Sequence, residues 1–249
     1  MTTTVHTGAM TVLGLFSGIG GLELGLERAG MTTVGQVELD PFCRTVLQRH
    51  FPEVPRHDDV RTAVPWWHSQ ARPRVDVVAG GFPCQPVSNA GLMLGERDPR
   101  WLWPAMADVV ADLRPSWVVW ENVPGLRTRG LRTVLADLDR LGYRCRVGTL
   151  SACAVGAPHL RRRLFGVAHA HSLRCHRRPG NLRPHRGPEL AHRSRWAVEP
   201  DVGRVAYGVP RGLDRRRALG NAVVPDAAER LGRLILATHH AALVPAAAA

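Results

Sequence analysis

The feature that most constrains this chain is a repeated alternation of apolar runs and helix-like stretches. "TVLGLF" at 11–16 reads as a buried strand and "GGLELGLERAG" at 20–30 as a helix closed by a glycine. "TTVGQVEL" at 32–39 and "PFCRTVLQRHF" at 41–51 repeat the pair, with Pro41 suited to a first helical turn. The order recurs in a strand "RVDVVAG" (74–80), a helix "WLWPAMADVVADLR" (101–114), a strand "SWVVWENV" (116–123) and an amphipathic helix "GLRTVLADLDRLG" (130–142). From about 145 to 168 the texture is strand-like, and "PDAAERLGRLILATHHAAL" at 225–243 is again a helix. Strands alternating with helices predict a parallel sheet covered on both faces, an α/β doubly wound architecture.

Length and composition fit that reading. The 249 residues are 45% hydrophobic, enough for one large domain or one with a small appendage. No stretch resembles a signal peptide or approaches the run of about 20 apolar residues that spans a membrane. Five scattered cysteines form no disulfide framework, so a reduced, cytoplasmic chain is expected. The net charge is +12, carried entirely by arginine, and favours a polyanionic partner. Residues 169–217 hold twelve arginines against four acids, with frequent Pro and Gly and little apolar periodicity.

Four stretches carry chemistry. Gly18, Gly20 and Gly21 fall in the first strand-to-helix turn, where a ligand can approach the backbone and the helix N-terminal N–H groups. Glu38 ends the second strand about twenty residues on, where an acid suits a ribose diol. The spacing is not that of the dinucleotide fingerprint, so a different nucleoside-containing cofactor is indicated. "AGGFPCQPVSNAG" (79–91) holds Cys84 at a strand end between stiffening prolines, which fits a nucleophile better than packing. Glu121 and Asn122 end another apolar strand, where an acid either caps the next turn or meets a ligand. Arg161 and Arg163 alternate so as to face one side, usually a solvated basic face.

Together these blocks resemble the DNA (cytosine-5)-methyltransferase family, in that family's order and over nearly the whole chain. "LGLFSGIGGLELGLERAG" is similar to its cofactor motif, "VELDPFCRTVLQRHFP" and "HDDVR" to the next two, and "GGFPCQPVSNAG" to its nucleophile loop. "WENVPGL", "GAPHLRRRLF" and "RALGNAVVPDAAERLG" are similar to its Glu-Asn-Val, Gln-x-Arg-x-Arg and Gly-Asn-x-x-x-Pro motifs. The resemblance implies a Rossmann-like methyltransferase sheet and methyl transfer from S-adenosylmethionine to carbon 5 of cytosine in DNA. Its nucleophile would be Cys84, with Glu121 engaging the base near N3, Asn122 orienting the loop, Arg163 meeting the base and Arg161 supporting it. Phe16 would pack on the adenine, Gly18, Gly20 and Gly21 would approach the methionine part, and Glu38 would bind the ribose. Asp59 and Val60 would contact the adenine, and Pro83, Leu102, Asn221 and Val223 would complete the pocket. No metal is implied. The set His169, His171, Cys175 and His176 matches no standard zinc spacing and reads better as a basic DNA-facing loop.

By the same resemblance the domains are 1–168 for the catalytic core, 169–217 for a short target-recognition region, and 218–249 for a C-terminal helix that completes the core. Double-stranded DNA is the expected partner of a monomer, and a cognate restriction endonuclease would act on the same site. So small a recognition region implies a short or degenerate target, about four base pairs, with Arg215, Arg216 and Arg217 on phosphates. His159 and Arg162 depart from the family's usual Gln and Glu. Two alternatives stay open: cytosine methylation in tRNA, and a non-catalytic DNA-binding relative.

Overall fold

The computed structural model describes residues 8–85, 98–173 and 211–243. Its elements follow the expected alternation: β1 (Thr11–Leu15), α1 (Gly21–Arg28), β2 (Thr32–Val37), α2 (Pro41–His50) and β3 (Arg56–His57). After a 3-10 turn come α3 (Ala63–His68), β4 (Val77–Gly80), α4 (Trp103–Leu113), β5 (Trp117–Asn122), α5 (Leu126–Arg129) and α6 (Leu131–Arg140). The chain closes with β6 (Tyr143–Ser151), β7 (Arg162–Ala170), α7 (Arg211–Asn221) and α8 (Pro225–Leu243). Asp40 caps α2 by accepting from the amides of Phe42 and Cys43, ahead of Pro41, which has no amide to satisfy.

One seven-stranded sheet runs in the order β3-β2-β1-β4-β5-β7-β6. The first five strands are parallel, whereas β7 runs antiparallel to both β5 and β6. The sheet is therefore mixed. β6 reaches β7 through a short connection rather than a helical crossover, and such a reversal gives an antiparallel pair. The chain leaves β1 toward β3, then returns to place β4 on the other side of β1. This order reversal opens a crevice at the carboxyl ends of β1 and β4.

Alternating strand residues feed two cores. Leu13, Leu15, Val78, Val118 and Trp120 pack with Trp67, Trp103, Met106, Val134 and Leu138, the face covered by α3, α4 and α6. Val12, Val77, Ala79, Trp117 and Val119 pack with Leu22, Leu26, Leu231 and Ile235 of α1 and α8. A side chain at Gly21 would strike the carbonyl oxygen of Val223 at 2.2 Å. That close approach lets α8 lie on α1 and holds residues 221–223 over the first turn of α1. The expected recognition region lies largely outside the described residues. Its last part belongs to α7, a helix that runs across the boundary expected at 217.

Candidate active site

One cavity sits at the crevice, and most of the expected site residues line it. Phe16, Gly18 and Glu38 come from the β1 and β2 ends, Pro83 and Cys84 from the loop after β4, and Leu102 from the start of α4. Glu121 and Arg163 come from β5 and β7, Asn221 from the end of α7 and Val223 from the turn before α8. Strand ends bring them together because a parallel sheet presents all its carboxyl ends at one edge. Leu15 hands the chain into the turn through Phe16, a non-glycine residue at φ 53°, a left-handed conformation that costs on the order of 1 kcal/mol or more. Gly20, at φ 84°, then admits the chain to α1 without that cost.

Glu38 closes this turn. One carboxylate oxygen accepts from the Gly18 amide at 2.6 Å and the other from the Asp40 amide at 2.7 Å. Burial raises its pKa, and these two amides pull it part of the way back. Each oxygen keeps a lone pair for a further donor, as a diol would require.

At the other end of the cavity Arg163 Nε lies 2.8 Å from Glu121 Oε1. The contact is an ion pair whose N–H is not aligned on the oxygen, since Oε1 accepts no geometrically sound hydrogen bond. Glu121 is 7% exposed, and burial pushes its carboxyl up to about 7 against the pull of Arg163 and Arg161. Burial also raises the Cys84 thiol, the Glu121 carboxylate raises it further, and Arg163 and Arg161 lower it. Behind them Asn122, 1% exposed, donates from Nδ2 to the Phe82 carbonyl at 3.0 Å and accepts from the Val123 amide at 2.9 Å. It ties the Cys84 loop to the end of β5.

Other expected residues stand elsewhere. Arg161 does not face Glu121 as Arg163 does. Its Nη2 donates to the carbonyls of Gly220 at 2.7 Å and Ala222 at 2.6 Å, anchoring the turn that carries Asn221 and Val223. Asp59 and Val60 lie outside the cavity lining. Asp59 caps the 3-10 turn and pairs with Arg61, while Val60 is core. Gly20 and Gly21 shape the turn without lining the cavity.

Arg217, expected on phosphate, bonds Asp40 at the cavity wall. His169 is buried and packs against Trp117, while Cys175 and His176 fall outside the described residues. Among the described residues no cluster of three or more His, Cys, Asp or Glu could hold a metal, and no helix is long and apolar enough to cross a membrane.

Sequence reasoning missed Ser17, Glu23, Asp40 and Arg217, all of which line the cavity. Glu23 reads locally as an acid in a first helical turn, and the Arg217–Asp40 pair joins residues 177 positions apart.

A carboxylate at the end of β2, a glycine turn before a helix, and a cysteine sharing a cavity with a buried carboxyl thus meet at the crevice of the sheet. The C-5 cytosine-specific DNA methylase family model matches residues 10–199, and the chain belongs to that family. It is 36% identical over 168 residues to the type II methyltransferase M2.BsuMI of Bacillus subtilis, covering 64% of this chain and 42% of that protein. It is likewise 36% identical to M.NgoBI of Neisseria gonorrhoeae, covering 64% of this chain and 50% of that protein. The chain thus spans about half the length of the first curated relatives it matches. An Escherichia coli prophage protein assigned as a DNA modification methyltransferase superposes with a TM-score of 0.55 at 28% identity, over 66% of this chain and 48% of that one. DNMT2 of Spodoptera frugiperda shares the fold, with a TM-score of 0.53 at 23% identity over 67% of this chain and 51% of that one.

Proposed function

We propose that this chain transfers a methyl group from S-adenosylmethionine to carbon 5 of cytosine in DNA, with Cys84 as the nucleophile. The observation that carries this reading is the shared cavity. Cys84 and the Glu121–Arg163 pair sit at one end of it and Glu38 at the other.

The residues present fit the cofactor. Glu38 offers lone pairs to ribose hydroxyls, Phe16 and Leu102 give apolar surface to an adenine, and the Glu23 carboxyl is buried without a partner. When bound, S-adenosylmethionine supplies the methyl group that carbon 5 accepts, from a sulfonium that leaves as a neutral thioether. Gly18, Glu38, Asn221 and Val223 would hold it.

The chain's own residues handle the base. Carbon 5 of cytosine is a poor nucleophile until a thiolate adds to carbon 6, and covalent catalysis of this kind divides one hard step into easier ones. Glu121, with its pKa near 7, is available in protonated form to donate at N3 as Cys84 adds. Loss of that proton to the base would leave a carboxylate facing Arg163, which compensates the charge. Asn122 holds the Phe82 carbonyl and so the approach of the thiol. After methylation the carbon-5 proton leaves and Cys84 is eliminated. The cytosine reaches such a recessed site only outside the duplex stack. The +12 charge supports a polyanionic substrate.

Tritiated methyl transfer to duplex DNA and to tRNA, followed by bisulfite sequencing of DNA from cells expressing the chain, tests the reading. Label in tRNA alone would move the substrate to RNA, and binding without transfer would favour the non-catalytic alternative. The mapped site would also measure recognition: a strict target of six or more base pairs would require determinants beyond 169–217.

A further inference from the structure

We propose that Glu23 is the residue that receives the α-ammonium group of the cofactor's methionine end; the inference rests on the methyl-donor reading of the cavity. Glu23 lines the cavity yet is only 1% exposed, and neither carboxylate oxygen accepts a sound hydrogen bond from any described residue. The adjacent Ser17 hydroxyl, also on the cavity wall, is likewise without one. A buried carboxylate left unpartnered is costly, so a fold that keeps one has a use for it.

The backbone makes room for this group. A Cβ at Gly14 would lie 2.1 Å from Glu23 Oε1 and 2.9 Å from Ser17 Oγ. Only a glycine in the middle of β1 lets the carboxyl lie beneath the turn at 16–20. An acid in a first helical turn commonly serves the helix dipole from the surface. This one is turned inward instead. Burial pushes it up to about 7; the Ser17 hydroxyl and its own amide lie close enough to ease the shift without making a well-aligned hydrogen bond, and the nearby Glu38 and Glu27 add to it. Of the two arginines on the cavity wall, Arg163 is paired with Glu121 and Arg217 is engaged by Asp40. Of the four acids that line the cavity, Glu121 and Asp40 are thus paired and Glu23 and Glu38 are in no salt bridge among the described residues, so the missing complement is a cation with several N–H donors. Glu38 already receives two backbone amides and suits a hydroxyl pair. Glu23 receives none and suits an ammonium.

The test compares two ligands on the full chain by calorimetry. S-adenosylhomocysteine carries the ammonium, whereas 5′-methylthioadenosine keeps the nucleoside and thioether but lacks the amino-acid end. Glu23→Gln is expected to weaken S-adenosylhomocysteine by about 10- to 100-fold, the scale of a charge-assisted hydrogen bond, and to leave methylthioadenosine unchanged. Equal weakening of both ligands, or of neither, overturns the assignment. So does a Gln variant that is less stable than the parent without ligand at pH 8, because the carboxylate would then serve the fold. If the parent chain binds neither S-adenosylhomocysteine nor S-adenosylmethionine, the methyl-donor reading fails first and the assignment falls with it.

Discussion

Arg163 approaches Glu121 to 2.8 Å, yet the carboxyl still titrates near 7 because burial outweighs the ion pair. The pairing thus tunes the acid without locking it as a carboxylate. It also couples the acid to the nucleophile, since the Glu121 charge raises the Cys84 thiol. Glu121→Gln is expected to slow methyl transfer by at least about 10²-fold, the scale of a lost acid–base or electrostatic group. The same change should lower the Cys84 pKa, because a charge that raised it is gone. Alkylation of Cys84 followed by peptide mass spectrometry across pH reads this directly, and an unshifted profile would contradict the coupling.

Cys84→Ser should abolish turnover while leaving cofactor affinity nearly intact, since the residues assigned to the cofactor surround it rather than depend on it. DNA carrying 5-fluorocytosine at the target should trap a covalent complex with the parent chain, because fluorine cannot leave as a proton. Absence of a denaturant-stable adduct at a site that is otherwise methylated would remove Cys84 from the nucleophile role.

Glu38→Ala should weaken S-adenosylhomocysteine by at least about tenfold, with little change in rate at saturating cofactor. It deletes an acceptor of two backbone amides as well as the proposed ribose ligand. The reverse pattern, lost rate with unchanged affinity, would exchange the two ends of the cavity.

Arg161 and Arg163 should separate by readout. Arg161→Ala frees the Gly220 and Ala222 carbonyls and so loosens Asn221 and Val223; cofactor affinity is expected to fall about tenfold. Arg163→Ala should leave that affinity alone and act on rate. Calorimetry and single-turnover kinetics on both variants decide, and identical profiles would refute the division.

Glu23 gives a pH signature to the unliganded chain. Its folded pKa of about 7 stands above the ordinary value of 4.5. Between those values the folded chain retains a proton that the unfolded chain releases, so stability falls as pH rises through about 4.5 to 7 and the loss is complete above 7. The full effect is on the order of 3 kcal/mol. Urea melts at pH 5 and pH 8 should therefore converge in Glu23→Gln relative to the parent. They will not coincide, because Glu121 contributes in the same direction.

The sequence by itself determined the alternation of strands and helices, the first turn, and the placement of Glu38, Cys84 and Glu121 at strand ends. Each of these is local: a period, a glycine, or an acid directly after an apolar run. It also carried enough motif order to name the family. Only the tertiary structure decided that β7 runs antiparallel, that Arg161 and Arg163, two residues apart, serve different partners, and that Arg217 turns to Asp40. The same holds for Glu23, whose neighbours Gly14 and Ser17 are close in sequence but whose burial depends on the whole wall of the cavity. Local patterning sets which way a side chain starts out. What it meets is set by elements far along the chain, and burial and partner together fix whether a carboxyl stays a surface charge or lies within a cavity.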